Sequence, residues 1–291
     1  MIRMIGNTLL LLLVGAFLSA SAAPDAIGIA TARGGLFMDR SPVQGNTTLF
    51  DGGVLETNSY PSVVRLQSGS EIRLGSTSRG RIYKDRLVLE KGEGQMDKAS
   101  NFRFEALGLR ILPDSSGTKA RVTLVGNRRV AVSALTGTLR VTTAEGTLVA
   151  RLEPGRALEF EPQVAGAAAP SSASGCIAVA GVQFVLRDAT ANINLELRGM
   201  NFGQYVGQRV EITGTDLKGQ RPSEGSTQVI QVTKLTRVGG SCPIPPGNAS
   251  TAKTAGMSAT TKVVIAGVAI AAVAGGTVLG LTAGDSESIS R

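Results

Sequence analysis

The chain has 291 residues, 42% of them hydrophobic and 18% charged, so it can bury ordinary cores in two compact domains and is not a disordered protein. It contains no histidine, which excludes Ser-His-Asp and Cys-His catalytic sites, histidine-ligated metals and histidine pH switches. Its formal net charge of +8 favours anionic neighbours, such as lipid head groups or surface polymers.

Residues 1–22 have the pattern of a secretory signal peptide. One cation, Arg3, precedes an apolar stretch from Leu9 to Leu18, and the small residues Ala20-Ser21-Ala22 follow it. The alternative is an uncleaved anchor, but the apolar stretch is shorter than the ~20 residues that span a bilayer. We therefore expect the folded part to work outside the cytoplasm.

Residues 26–162 are predicted to form a β domain. The stretch "VVRLQSGSEIRL" alternates apolar and polar residues around the turn Ser68-Gly69-Ser70. Similar hairpins are predicted to turn at Gly126-Asn127, Glu145-Gly146 and Pro154-Gly155. Strands this short with turns this frequent indicate a sandwich, a barrel or a short coil of strands.

Four arginines of this domain form the candidate interaction face: Arg65, Arg73, Arg81 and Arg86. They alternate with apolar residues and are interspersed with acids, so the favoured interpretation is a solvated sheet face with cross-strand ion pairs. A nucleic-acid surface would have fewer acids and more aromatic residues, and this stretch offers only Tyr83. We therefore predict no nucleic-acid partner.

The same domain resembles the FecR-like domain family. The resemblance rests on "GNTTLFDGGVLET", "SVVRLQSGSEIRLGSTSR", "RLVLEKGEG" and "VAVSALTGTLRV", which occur in the family's order. It implies a β-sandwich or β-roll. Regulatory family members sit in the inner membrane, sense an outer-membrane receptor in the periplasm and control a sigma factor through a cytoplasmic N-terminal region. Because this chain opens with a signal peptide pattern instead, we do not expect the sigma-factor role.

A linker is predicted at 163–175, followed by a second domain at 176–242. Its segments "LELRG", "YVGQRVEITGT" and "VIQVTKLTRV" resemble small bacterial OB-fold modules, which implies a small OB-like β-barrel. OB-folds bind oligonucleotides or oligosaccharides. This domain has few aromatic residues for stacking, so a spacer or protein-contact role is equally open.

The two cysteines of the chain, Cys176 and Cys242, lie at the edges of the second domain. In an exported protein an even cysteine count favours a disulfide, which would join the first strand of the domain to the end of its last. The alternative is two free buried thiols.

A linker at 243–262 precedes an uncharged stretch, 263–283, that is long enough to span a bilayer as a helix. We predict one C-terminal transmembrane helix; a buried soluble helix is the alternative, because several glycines lower its helix propensity. Small residues recur every four positions and predict helix self-association in the membrane. They are Ala272, Gly276, Gly280 and Gly284.

No enzyme, cofactor or metal site is predicted. Glu159 and Glu161 share a strand face, but surface acids greatly outnumber catalytic pairs. "KGEGQMD" lacks the Lys-Ser/Thr ending and the strand-to-helix context of a phosphate loop.

The sequence thus predicts an all-β, non-enzymatic cell-envelope protein: a single-pass inner-membrane protein with its domains in the periplasm. It would act as an interaction or sensory-scaffold module for an envelope protein or anionic polymer, with homo-oligomers formed through the helix. One alternative is a polysaccharide or peptidoglycan binder acting through the OB-like domain. Another is a secreted structural subunit whose C-terminal segment packs inside an oligomer.

Overall fold

The computed structural model describes residues 25–32, 34–98, 101–163, 171–242 and 262–273. Within these ranges the chain is all-β, apart from one 3₁₀ turn at Gly203–Tyr205. The predicted signal peptide and most of both predicted linkers lie outside the described residues.

Seventeen strands form the N-terminal domain. They are β1 (Ala26–Ala32), β2 (Leu36–Met38), β3 (Ser41–Val43), β4 (Asn46–Phe50), β5 (Val54–Thr57), β6 (Ser62–Leu66), β7 (Glu71–Leu74), β8 (Arg79–Ile82), β9 (Arg86–Lys91), β10 (Glu93–Lys98), β11 (Arg103–Ala106), β12 (Leu109–Pro113), β13 (Lys119–Val125), β14 (Arg129–Thr136), β15 (Leu139–Thr143), β16 (Leu148–Leu152) and β17 (Ala157–Pro162).

These strands divide between two sheets that share one core. Sheet A has the order β17-β14-β13-β10-β7-β6-β1-β4, and sheet B the order β16-β15-β12-β11-β9-β8-β5-β2-β3. The chain passes back and forth between them: β6 and β7 lie in sheet A, β8 and β9 in sheet B, and β10 in sheet A again. Neighbouring strands are antiparallel except β9 and β11, which pair in parallel.

Alternation of side chains builds the core between the sheets. Val64 on β6 and Ile72 on β7 are each 1% exposed. Arg65, which follows Val64 on β6, points outward, as the sequence predicts. At Gly94 on β10 the sheets approach so closely that a Cβ would lie 2.8 Å from the ring of the buried Phe104 on β11. A glycine of the "KGEGQMD" segment therefore serves packing between sheets.

Three of the four predicted hairpins are confirmed, while the turn at Pro154-Gly155 leads from β16 in sheet B to β17 in sheet A and is not a hairpin. Gly69, Gly126, Gly146 and Gly155 all have positive φ and join consecutive strands. L-residues with a side chain rarely adopt this conformation, which explains why glycine marks these turns in the sequence.

Five further strands close into a small barrel. They are β18 (Ser171–Ala180), β19 (Gln183–Asp188), β20 (Ile193–Arg198), β21 (Gln208–Asp216) and β22 (Gln228–Ser241). Their order is β19-β20-β22-β21-β18, and β18 pairs with β19 to close the ring. Only β20 and β22 run parallel. This closed five-stranded arrangement is that of an OB-fold.

The predicted transmembrane helix is wrong over the residues that the structure describes. Residues 262–272 form a hairpin of β23 (Lys262–Ile265) and β24 (Val268–Ala272), whose turn residues Ala266 and Gly267 have φ of 49° and 73°. The physical reason is the period: Val263 and Ile265 before the Ala-Gly turn, and Val268 and Ile270 after it, are buried β-branched residues two positions apart, and this spacing favours strands. No helix in the described ranges is long and apolar enough to cross a membrane.

The hairpin joins the two domains. On one side β24 pairs with β17 in five antiparallel residue pairs, from Leu158 opposite Ala272 to Pro162 opposite Val268. On the other side β23 meets β18 at Ser172 opposite Val264. Sheet A and the barrel thereby become one continuous sheet. Of the residues predicted to pack membrane helices, Ala272 lies in β24, and Gly276, Gly280 and Gly284 lie outside the described residues.

Candidate interaction site

The four arginines of the predicted interaction face do not share one surface. Arg65 on β6 and Arg73 on β7 lie on the outer face of sheet A. Arg81 on β8 and Arg86 on β9 lie on the outer face of sheet B, on the opposite side of the domain. The separation arises between β7 and β8, where the chain crosses from one sheet to the other.

Each of the four has an acidic neighbour. On sheet A, Arg65 Nε lies 3.2 Å from Glu71, directly opposite on β7, and Arg73 lies 3.6 Å from Asp97. On sheet B the distances are 3.9 Å for Arg81 to Glu90 and 2.9 Å for Arg86 to Asp85. Arg86 also covers the Tyr83 ring at 3.9 Å. Asp85 is a sequence neighbour of Arg86, whose cross-strand partner is Glu105 on β11 at 3.6 Å, so the predicted cross-strand ion pairs are present.

Sheet B carries more outward arginines than the sequence analysis singled out. We call these seven the arginine face: Arg79, Arg81, Arg86, Arg103, Arg110, Arg140 and Arg151. Three glutamates occupy outward strand positions among them, namely Glu56, Glu90 and Glu105. Along its strands the face is therefore positively charged.

At the centre of the face, acids compensate two facing arginines. Arg86 and Arg103 are directly opposite in the parallel pair of β9 and β11. The Asp85 carboxylate lies between them, 2.9 Å from Arg86 and 2.6 Å from Arg103. Burial opposes ionisation of Asp85, but the hydrogen bonds and charges of the two arginines outweigh it, so the pKa of Asp85 lies below its ordinary 3.8.

The two strand arginines near β3, Arg79 and Arg81, also have acidic partners. A shallow groove of about 320 Å³ is lined there by Arg40, Arg79 and Arg81 together with Asp39 and Glu56. The guanidinium group of Arg79 donates hydrogen bonds to Glu90 at 2.9 Å and to Glu56 at 3.3 Å, so it already has two acidic partners. The groove is close to electrically neutral and offers an anion little.

At the opposite end of the face the compensation is incomplete. Arg140 on β15 and Arg151 on β16 are directly opposite each other, and Arg110 on β12 lies diagonally from Arg140. Like charges opposite each other destabilise a strand pair. Arg140 is 2.5 Å from Asp114, and Arg110 only 3.9 Å from Glu105. Within the described residues, Arg151 is exposed and has no acidic partner at ion-pair distance.

We call Arg110, Arg140 and Arg151 the arginine corner. It places three guanidinium groups where an external carboxylate or phosphate would relieve their mutual repulsion. Sequence reasoning missed it, although a signal exists: outward alternation on both sides of the turn at Glu145-Gly146 puts Arg140 and Arg151 on one face. Arg110 could not be added from the sequence, because its place beside β15 depends on tertiary pairing.

The barrel contains the predicted disulfide pair. The structure joins Cys176 on β18 to Cys242, just after β22, with the two Cα atoms 5.7 Å apart. The bond therefore connects the first strand of the barrel to the end of its last. No group of three or more potential metal ligands occurs among the residues that the structure describes.

The barrel also holds two buried carboxylates. Asp188, at the end of β19, accepts hydrogen bonds from the Ala191 amide at 2.6 Å and the Ser174 amide at 3.2 Å. Burial nevertheless raises the pKa of Asp188. Glu196 on β20 is paired with Arg198 and accepts the Ser223 amide at 2.7 Å.

Loop 217–227 thus contacts the outer side of β20. Glu196 beneath it is 1% exposed, and its cross-strand neighbours Val185 and Val229 are each 2% exposed. This part of the strand surface, on which OB-folds bind their ligands, is closed in the structure.

These features define an all-β, disulfide-bonded protein of two domains joined in one sheet, with an arginine-rich outer face. No protein-family model and no curated protein matches the chain. Two crystal structures of a "putative anti-sigma factor" from Parabacteroides distasonis align with it at 18% identity, with TM-scores of 0.32 and 0.31. Each alignment covers 37% of this chain and 54% of that chain, so the chain spans about half of their length. TM-scores this low assign neither a fold nor a function to this chain.

Proposed function

We propose that the chain is a non-enzymatic, FecR-like interaction module of the bacterial cell envelope, exported to the periplasm. It binds an anionic envelope partner, a polymer or an acidic protein surface, at the arginine corner. The observation that carries this proposal is the pair Arg140 and Arg151, which face each other on neighbouring strands; in the described residues only Arg140 has an acidic partner, Asp114. The net charge of +8 supports attraction to such a partner.

The test is binding of poly-L-glutamate and of polyphosphate to the full chain, measured by titration calorimetry at low and moderate salt. Replacing Arg140→Gln and Arg151→Gln together removes two charges from the corner, and we expect affinity to fall about ten-fold. The matched control is Arg65→Gln with Arg73→Gln, which removes the same charge from sheet A. Equal losses for both pairs would show unspecific attraction to net charge and contradict the proposed site.

Export is tested separately. The disulfide between Cys176 and Cys242 suits an oxidising compartment. We expect both cysteines to resist thiol alkylation in cells and the protein to fractionate with the periplasm or envelope. Freely alkylated thiols in a cytoplasmic fraction would contradict export.

A further inference from the structure

Exposed strand edges are the places where a sheet can accept another strand. In the part of the chain that the structure describes, the barrel has no free edge because β18 and β19 close it. Sheet A ends at β4, and sheet B ends at β16 and at β3. These three edges differ in how well they are protected.

Two of them are protected. The edge of β16 is covered by the barrel, since the Arg151 amide donates to Ala191 O at 2.8 Å and the Asn192 side chain donates to Glu153 at 3.2 Å. The edge strand β3 has three residues, one of which is Pro42, and proline has no amide hydrogen to offer a partner. The edges of β16 and β3 are therefore poor sites for pairing with a strand of another molecule.

The third edge has none of these features. Strand β4 reads Asn-Thr-Thr-Leu-Phe, five residues with no proline, glycine or charge. Natural edge strands are commonly blunted by lysine, proline or a bulge. Strand β4 has no lysine or proline, and the bulge in its pairing with β1, between Ala26 and Gly28, lies opposite Leu49 and Phe50, beyond Asn46 to Thr48. Asn46 and Thr48 are exposed, while Leu49 is fully buried in the core.

The register shows which backbone groups of β4 are available. The Ala32 amide donates to Gly45 O at 2.8 Å, so the alternate pairs Ala30–Thr47 and Gly28–Leu49 also exchange hydrogen bonds. The amide and carbonyl groups of Asn46 and Thr48 therefore point away from β1, toward the open side of the sheet.

We infer that β4 is a self-association edge, at which two copies of this chain pair their β4 strands antiparallel about a two-fold axis. Asn46 of one copy stands opposite Thr48 of the other, which satisfies the outward groups with four backbone hydrogen bonds and places the two Thr47 residues opposite each other. A two-fold interface uses the same patch on both copies, and this strip is complementary to itself.

The charge distribution favours association of two copies at β4 over association at the outer faces of the sheets. Two chains of net charge +8 repel each other, and arginines line the outer faces of both sheets. Strand β4 has no ionisable side chain, so pairing there brings no like charges directly together. The contact is narrow, which places it among weak associations that appear at high concentration.

The experiment is sedimentation equilibrium of the full chain over a concentration series that reaches the millimolar range. We expect a reversible monomer–dimer equilibrium. Thr48→Pro removes an amide that points away from β1 and so spares the hydrogen bonds within the sheet. It takes away two of the four bonds between copies and is expected to weaken dimerisation about ten-fold or more.

Thr48→Ala is the matched control, because it keeps the amide and should leave the dimer unchanged. Asn46→Lys is a second variant that introduces like charges at the edge and should also weaken dimerisation; it decides the outcome if circular dichroism shows that Thr48→Pro is unfolded. A chain that stays monomeric throughout, or a dimer that tolerates both edge variants, overturns the inference. Poly-L-glutamate binding at the arginine corner does not depend on β4, so either proposal can fail without the other.

Discussion

The N-terminal sandwich and the C-terminal barrel bury polar side chains differently. In the described residues, those buried in the sandwich are all hydroxyl groups: Thr57, Ser62, Ser70, Ser78, Thr118 and Thr143. The barrel buries two carboxylates and an amide, Asp188, Glu196 and Gln228, together with Ser171 and Thr190. The charged side chains of the sandwich lie on its outer faces, whereas the barrel has two buried carboxylates, Asp188 and Glu196.

The difference follows from how each domain holds its loops. In the sandwich, the buried side chains that hold turns are hydroxyls, as where Thr57 accepts the Ser78 amide at 3.0 Å, while Asp39 and Asp51, which also accept backbone amides, are exposed. The barrel has longer connections that do not pair as strands, and the carboxylates of Asp188 and Glu196 hold them by accepting backbone amides. In the described residues, charged side chains are therefore buried in the barrel and not in the sandwich. Four experiments test this contrast.

The largest expected effect is on the barrel alone. Replacing both Cys176→Ser and Cys242→Ser opens a loop with a sequence separation of 66, which by chain entropy costs about 4 kcal/mol. Hydrogen exchange should show faster opening of β18 to β22, with β6 and β13 little changed. Equal acceleration in both domains would show that they unfold as one unit.

The second effect concerns Asp188. Asp188→Ala leaves the buried amides of Ala191 and Ser174 without their acceptor, and we expect a loss of about 3 kcal/mol in the free energy of unfolding. Asp188→Asn is the control, because it keeps an acceptor oxygen and should cost less. Urea denaturation followed by circular dichroism measures both; a cost of Asp188→Ala no larger than that of Asp188→Asn would contradict the assigned role.

The third effect is smaller and has a defined pH dependence. Burial opposes ionisation of Glu196, but the Ser223 amide and Arg198 outweigh it and lower the pKa of Glu196 below 4.5. Its stabilisation is therefore present above pH 4.5 and is lost as the pH falls through the folded pKa. We expect Glu196→Gln to cost about 2 kcal/mol at pH 7 and progressively less below pH 4.5.

Asp188 should behave in the opposite way. Its raised pKa means that the native state takes up the proton before the unfolded chain does, so its contribution grows as the pH falls. The carboxyl carbon chemical shifts of both residues, followed by NMR, measure the two titrations directly. If the pKa values of Asp188 and Glu196 departed from their ordinary values in the same direction, this contrast would be contradicted.

The smallest effect is expected in the sandwich. Asp85→Asn removes the acid between Arg86 and Arg103, but the side chain is 46% exposed, so solvent screening limits the loss to about 1 kcal/mol or less. Because the pKa of Asp85 is lowered, the loss should be present at neutral pH and vanish as the pH falls below 3.8. Thermal unfolding at pH 7 and pH 3 measures it, and a loss as large as that of Asp188→Ala would remove the distinction between the domains.

Local alternation and turn chemistry were sufficient to predict much of the fold. Val64 and Ile72 face the core as predicted, and glycines such as Gly69 and Gly155 mark the turns. Alternation within a hairpin cannot reveal which of two sheets the hairpin joins. This is why Arg65 and Arg81 appeared to share a face that the structure divides, and why the arginine corner was missed.

The helix predicted at 263–283 is wrong over the described residues 263–272 for a different reason. Length and the absence of charge were given more weight than period, although β-branched residues flank Ala266-Gly267 on both sides at strand spacing. The position of the hairpin between β17 and β18 depends on partners about a hundred residues away in the sequence. That information is tertiary and has no local signature.

The hairpin has a consequence for how the molecule is assembled. Because β23 and β24 follow both domains in the sequence, the ribosome completes the sandwich and the barrel before the strands that join them. Until residues 262–272 are synthesised, β17 has an unpaired edge, and Leu158 and Phe160 lack their cross-strand partners Ala272 and Ile270. Domain joining is then a late kinetic step that pairs strands distant in sequence, and until it is complete the edge of β17 is open to misassembly.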